Sequence, residues 1–200
     1  CAAAFGVAAE AWEHRNEGRA SFDVAMMAGM QVLAESRPTA INLFWAIERM
    51  RSVAAAARSV SPREAAERLE TAALEIYNAD IAANRAMGAA GAALVKQGAR
   101  IMTHCNAGWL ATVDWGTATA PVYKAHEAGV PLHVFVSETR PRNQGASLTA
   151  WELNQHGVPH TVIVDNVGGH LMQHGQVDMC IVGTDRTTAH GDVCNKIGTY

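Results

Sequence analysis

Cysteine is scarce: Cys1, Cys105, Cys180 and Cys194 are all the sequence has, and no two form a CxxC pair. Four in 200 residues is too sparse for a disulfide scaffold, so reduced thiols and a cytoplasmic setting are expected. Long apolar runs are lacking. None approaches the roughly 20 residues of a membrane span, and mean hydropathy is −0.02. Basic excess is lacking too, since 16 Lys+Arg face 19 Asp+Glu, which excludes a nucleic-acid footprint built on charge. There is no basic stretch ahead of an apolar core, so no signal peptide is read. The sequence opens on CAAAFGVAAEAWE and stops at KIGTY; both ends read as cut, and sites completed by further segments are allowed for. GxGxxG, Walker and HExxH motifs are absent, which disfavours a dinucleotide and a zincin-type metal site. His170 and His174 could share a helix face, but no third ligand lies nearby, so no metal is assigned.

What is present is a globular composition, 49% hydrophobic and 18% charged, which rules out a disordered chain. The length suits one large domain or two small ones. Residues 1–98 are Ala-rich with helical spacing. Ser61-Pro62-Arg63-Glu64 is a capping box with Pro at the first helical position. Ala66, Leu69, Ala73, Ile76, Ala83 and Met87 then fall at three- and four-residue steps. Thr39 to about Val60 repeats the pattern with Leu43, Phe44, Ile47, Met50, Val53 and Ala57. Residues 1–17 and 21–35 read as two more helices.

After Gly98 the texture changes. Short apolar runs begin near 100, 131, 160 and 179, separated by helix-like stretches over 109–129, 145–157 and about 167–174. Strands that are apolar throughout, alternating with helices, predict βαβ units and a parallel sheet. The expected fold class is α/β, with a helical N-terminal domain over 1–98 followed by a Rossmann-like parallel-sheet domain over 99–200.

Ligands of open parallel sheets bind beyond the carboxyl ends of the strands. That rule points to the loops at 103–108, 137–146, 165–170 and 183–200, all rich in polar residues and Gly. Cys105 sits where the first strand ends, and Asn106-Ala107-Gly108 is expected to open a helix whose amides would favour a thiolate. Free cysteines are more often inert and buried. Asp185 is expected to end the fourth strand, as an acid/base partner of Cys105 or as a loop cap paired with Arg186. Gln144, Asn195 and Lys196 are candidate substrate ligands or, more blandly, loop-stabilising groups. Arg37, placed at a predicted helix start, would oppose the helix dipole, so an anion contact is the sharper reading.

The motifs SRPTAINLFWAIERM, IMTHCNAGWLATVDWGTATAPVYKAHEAG, SETRPRNQGASLTAWEL and IVGTDRTTAHGDVCNKIGTY resemble, in this order, those of the methylthioribose-1-phosphate isomerase family. The resemblance runs over nearly the whole chain. The wider superfamily holds ribose-1,5-bisphosphate isomerases and non-catalytic regulatory subunits of a translation-initiation exchange factor. By resemblance the catalytic pair maps to Cys105 and Asp185, and substrate contacts map to Arg37, Gln144, Asn195 and Lys196. The family's N-terminal Arg-Gly-Ala segment has no counterpart here. Trp109, Asp114 and Trp115 depart from the commonest form of the second motif and leave the 5-substituent of the sugar open.

The implied reaction is an aldose–ketose isomerisation, 5-methylthioribose 1-phosphate to 5-methylthioribulose 1-phosphate, in methionine salvage. A 5-deoxyribose 1-phosphate is a possible second substrate. The alternatives are a ribose-1,5-bisphosphate isomerase and a non-catalytic regulatory subunit. The chemistry implied requires no metal or organic cofactor. A homodimer, a small sugar phosphate as partner, and neither nucleic acid nor membrane are expected. Ile101, Met102, Leu110, Ile181 and Val182 are expected to give the site apolar surroundings that suit Asp185 to acid work.

Overall fold

The computed structural model describes residues 1–37 and 41–199. It divides into two compact units, Cys1–Asp80 and Ile81–Tyr200.

The first unit is helical. Its elements are α1 (Ala2–Glu13), α2 (Arg19–Ser36), α3 (Ile41–Ala56) and the first part of α4 (Pro62–Ala92). Each helix buries one stripe, because residues three and four apart share a face. Ala4, Val7 and Ala11 come from α1; Phe22, Met26 and Met30 from α2; Ile47 and Met50 from α3; Leu69, Ala73 and Ile76 from α4. The capping sequence acts as expected at the α4 start: the Ser61 hydroxyl accepts the Glu64 N–H at 3.2 Å. Three stripe residues differ from expectation, since Phe44, Ala83 and Met87 are exposed. The predicted start of α3 at Thr39 lies outside the described residues.

Beyond Asp80 the buried positions of α4 are Asn84 and Gly88, four residues apart. Ideal Cβ atoms on Gly88 and Gly91 would lie 3.1 Å from Ala120 and 2.4 Å from Pro121, so this stretch meets α5 (Ala120–Glu127) through bare backbone.

In the second unit a four-stranded parallel sheet has the order β3-β2-β1-β4. The strands are β1 (Ala99–His104), β2 (Leu132–Ser137), β3 (His160–Ile163) and β4 (Met179–Cys180). β1 begins where the sequence texture changes. Ile101, Val134 and Val136 are buried with Val122 and Tyr123 of α5 and with Leu153 of α6 (Ala150–Gln155). This continuous apolar character is what a sheet buried by crossover helices demands. β4 is pinned beside β1 by Asp178, which takes the Arg100 guanidinium at 2.8 and 3.0 Å and the Arg100 backbone N–H at 2.9 Å. After α7 (Gly168–Gln173) and β4 comes a small antiparallel hairpin, β5 (Arg186–Thr187) with β6 (Val193–Cys194).

One expected helix is mostly absent. Residues 109–129 hold a single 3-10 turn, Trp109–Ala111, and then α5 from Ala120. The intervening chain folds back on itself instead, with Thr117 N–H donating to the Ala107 carbonyl at 2.8 Å. No described helix is long and apolar enough to cross a membrane.

Candidate active site

The order β3-β2-β1-β4 places β1 at the point where the chain reverses its direction of strand addition. A crevice for ligands is expected there, beyond the carboxyl ends of the strands. Cys105 is the first residue after β1, half-buried, with φ 65°. Left-handed backbone is uncommon for residues other than glycine, and it is held here from both sides. The Cys105 N–H donates to the Thr139 hydroxyl at 2.8 Å, and the Thr149 hydroxyl donates to the Cys105 carbonyl at 2.6 Å.

Thr139 is itself left-handed, with φ 66°, and fully buried. A β-branched residue there is a true outlier, and the loop after β2 is built to hold it. Asp165 accepts the N–H groups of Thr139 and Arg140, both at 2.7 Å. Gly145 returns against the end of β2 so closely that a Cβ would lie 1.8 Å from the Ser137 carbonyl oxygen. From Gly145 to Thr149 the chain makes one π-helical turn before α6, a rare form that is frequent at functional sites.

Asn106-Ala107-Gly108 does not open a helix, which corrects the expectation of helix-start amides aimed at the thiol. The amides that start the 3-10 turn are taken by the protein's own carboxylate. Glu152 is fully buried. It accepts the Trp109 and Leu110 N–H groups at 3.0 Å, the Asn106 side-chain amide at 2.9 Å and the Tyr123 hydroxyl at 3.0 Å. A Cβ on Gly108 would sit 1.7 Å from a Glu152 oxygen, so only glycine admits the carboxylate. Burial, and then the Glu152 charge, push the Tyr123 hydroxyl well above its ordinary value. Glu152 and Thr149 were missed as site residues by sequence reasoning. On a helix stretch reading LTAWEL, a Glu looks like a solvated first-turn carboxylate, and nothing in its spacing shows which amides it will take.

Asp185 is not the end of the fourth strand. β4 stops at Cys180, and Asp185 lies five residues later at the base of the hairpin, its N–H on the Cys194 carbonyl at 2.8 Å. It is exposed, so the apolar enclosure expected around its carboxylate is absent. Leu110 is exposed as well, whereas Ile101 and Met102 are buried and Ile181 and Val182 half-buried.

Asn195 and Lys196 follow β6 and are half-buried. Their segment lies against the end of β1. The His104 ring nitrogen Nε2 and the Ile197 carbonyl are 2.9 Å apart, and a Cβ on Gly198 would be 3.1 Å from the same ring. An ideal Cβ on Gly183 would be 3.1 Å from Ala107 and 3.9 Å from the Asn195 carbonyl oxygen Oδ1. Gln144 precedes the π-turn, and its side-chain oxygen is buried with no hydrogen-bond partner among the described residues. Arg37 is in the other compact unit, exposed, at the C-cap of α2. A cation is favourable at a helix C-terminus, so the dipole conflict invoked for it does not arise. Among the described residues no group of three or more His, Cys, Asp or Glu side chains could hold a metal ion.

A family model described as the Initiation factor 2 subunit family matches residues 1–200. A methylthioribose-1-phosphate isomerase of Rhodospirillum rubrum is 61% identical over 191 residues, covering 89% of this chain and 48% of that protein. The chain thus spans about half the length of the curated relatives it matches. A crystal structure of 5-methylthioribose 1-phosphate isomerase from Pyrococcus horikoshii OT3 superposes with TM-score 0.90 at 39% identity, over 99% of this chain and 55% of that one. A structure named translation initiation factor eIF-2B, subunit delta, from A. fulgidus superposes with TM-score 0.86 at 43% identity, over 100% of this chain and 58% of that one.

Proposed function

This chain belongs to the Initiation factor 2 subunit family, and on that premise we propose that it isomerises 5-methylthioribose 1-phosphate to 5-methylthioribulose 1-phosphate. Relatives of that name at 60–66% identity support the substrate. The observation that carries the site is the Asn195–Lys196 segment lying against His104, the residue before Cys105.

The chemistry sets what the site must do. The anomeric oxygen carries phosphate, so the ring opens only if the bond from C1 to the ring oxygen breaks while that oxygen gains a proton. Hydrogen then moves from C2 to C1, and the C2 hydroxyl gives up a proton to become the ketone. Whether hydrogen crosses as hydride or through a phosphoenolate, one acid and one base are needed, and the net proton count is zero. Cys105 and Asp185 divide that work. Gln144, Asn195 and Lys196 hold the sugar phosphate, with Lys196 supplying charge to the phosphate. The unpartnered Gln144 oxygen is an acceptor awaiting a sugar hydroxyl.

The likeness to a subunit named for translation initiation favours a second reading, a regulatory subunit that binds but does not turn over. The presence together of Cys105, Asp185, Asn195 and Lys196 weighs for the enzyme. The test is ketose formation by the complete gene product from 5-methylthioribose 1-phosphate, 5-deoxyribose 1-phosphate and ribose 1,5-bisphosphate. Turnover of the first is expected. A preference for the bisphosphate, or no turnover of any, overturns the proposal.

A further inference from the structure

Among the described residues Glu152 is the only fully buried carboxylate, and no cation stands against it in any described contact. A buried charge without a counter-ion is costly unless hydrogen bonds satisfy it. Here each oxygen accepts two: Asn106 Nδ2 and the Leu110 N–H on Oε1, the Trp109 N–H and the Tyr123 hydroxyl on Oε2. Three of these four donors belong to residues 106–110, the turn that leaves Cys105. Asn106 Nδ2 also reaches the Thr149 hydroxyl at 3.1 Å, and that hydroxyl in turn donates to the Cys105 carbonyl. The network ends on the backbone of Cys105, whose φ is positive although it is not glycine. Buried polar networks of this kind rigidify what they touch when fully satisfied.

We propose that Glu152 is a positioning residue for Cys105, acting through Asn106 and Thr149; this rests on the reading of Cys105 as catalytic. Glu152 fixes the 106–110 turn, the turn fixes the Cys105 peptide, and the peptide sets where the thiol stands. The carboxylate never touches substrate. Its loss therefore acts on the rate of the chemical step and leaves substrate affinity in place, because a displaced reacting group loses rate steeply with distance.

The test compares Glu152→Gln, Thr149→Val and Thr149→Ser in the complete gene product. Three readouts are kcat and KM for 5-methylthioribose 1-phosphate, iodoacetamide alkylation of Cys105 by peptide mass mapping, and amide hydrogen exchange over 105–110. Glu152→Gln and Thr149→Val are expected to lower kcat by about tenfold to a hundredfold with KM within about twofold. They are also expected to change Cys105 alkylation and to speed exchange over 105–110. Thr149→Ser, which keeps the hydroxyl, is expected to restore all three. An unchanged kcat in folded Glu152→Gln, a rise in KM alone, or a Thr149→Ser as damaged as Thr149→Val overturns the proposal. If Glu152→Gln does not fold, the Thr149 pair decides. If the parent protein turns over no sugar phosphate, the enzymatic reading falls. Alkylation and exchange then decide the positioning claim by themselves: a Thr149→Val effect reversed by Thr149→Ser upholds it, and no effect overturns it.

Discussion

The two compact units bury different things. In Cys1–Asp80 the buried side chains are Ala, Val, Phe, Met, Leu and Ile, mostly on helix stripes, and the backbone is satisfied within the helices with Ser61 and Arg19 side chains serving at their ends. In Ile81–Tyr200 lie all the buried polar residues found among the described ones: Asn84, Thr103, His104, Thr119, Ser137, Thr139, Thr149 and Glu152. The described non-glycine residues with positive φ, Cys105, Trp115, Thr139 and Asn143, are there too. Polar burial and left-handed backbone each cost free energy and persist only where surrounding structure over-determines them. The four left-handed residues all fall in the loops after β1 and β2, the loops that hold Cys105 and Gln144, and this sets the second unit apart from a scaffold of helix stripes.

That contrast breaks if a change in the built site leaves turnover intact. Cys105→Ala and Asp185→Asn are each expected to lower kcat by about 10²–10⁴-fold with little change in melting temperature. Near-parent rates for either variant would reduce that residue to packing or to a loop cap. Lys196→Ala is expected to raise KM more than it lowers kcat.

The scaffold should answer in the opposite currency. Leu69 is fully buried in the helical unit, and Leu69→Ala is expected to destabilise by about 2–5 kcal/mol. Assayed below its melting temperature, that variant is expected to keep the parent kcat. A large loss of kcat would show that the helical core is not generic.

Tyr123→Phe tests the boundary between the two behaviours. It removes one of four donors to Glu152 while keeping the ring in the core. A loss of about 1 kcal/mol is expected by chemical denaturation, and a smaller loss of kcat than for Glu152→Gln. Equal losses would mean that the carboxylate serves the core and not the turn.

The smallest effect is a control on an exposed contact of the same sheet. The Arg100 guanidinium and backbone N–H hold the Asp178 carboxyl at about 2, below its ordinary 3.8. A depressed carboxylate contributes stability above its unfolded value and loses it as pH falls through its folded value. The difference in melting temperature between parent and Asp178→Asn should therefore be present above about pH 4 and vanish toward pH 2. It should be modest and shrink with salt, since both groups are exposed. A difference that persists at pH 2 would remove the ion pair as its cause.

Much of the fold was legible. Apolar runs beginning near 100, 131, 160 and 179 became strands starting at Ala99, Leu132, His160 and Met179; the central β1 and β2 are apolar because they are largely buried, whereas β3 and β4 keep exposed positions. Helical stripes placed α1 to α4 within a few residues of where they lie. The 109–129 stretch misled. It was expected as the helix between the first two strands, but Glu152 takes the Trp109 and Leu110 amides, and Thr117 is tied back to Ala107. Sequence periodicity reports which face of an element is apolar; it cannot report a backbone amide's partner 42 residues away.

The sequence alone determined α1 to α4, the four strands of the parallel sheet, the loops that hold polar residues, and the identities of Cys105, Asp185, Gln144, Asn195 and Lys196 as candidates. Those follow from residue type and local spacing. Tertiary structure decided that β4 pairs with β1, that Asp185 stands exposed beyond a two-residue strand, and that Arg37 caps the end of a helix rather than its start. It also decided that a plain-looking Glu152 is buried behind Cys105. Each of these depends on which distant groups meet, and a carboxylate goes into the interior only where folding has already gathered the donors that replace its water.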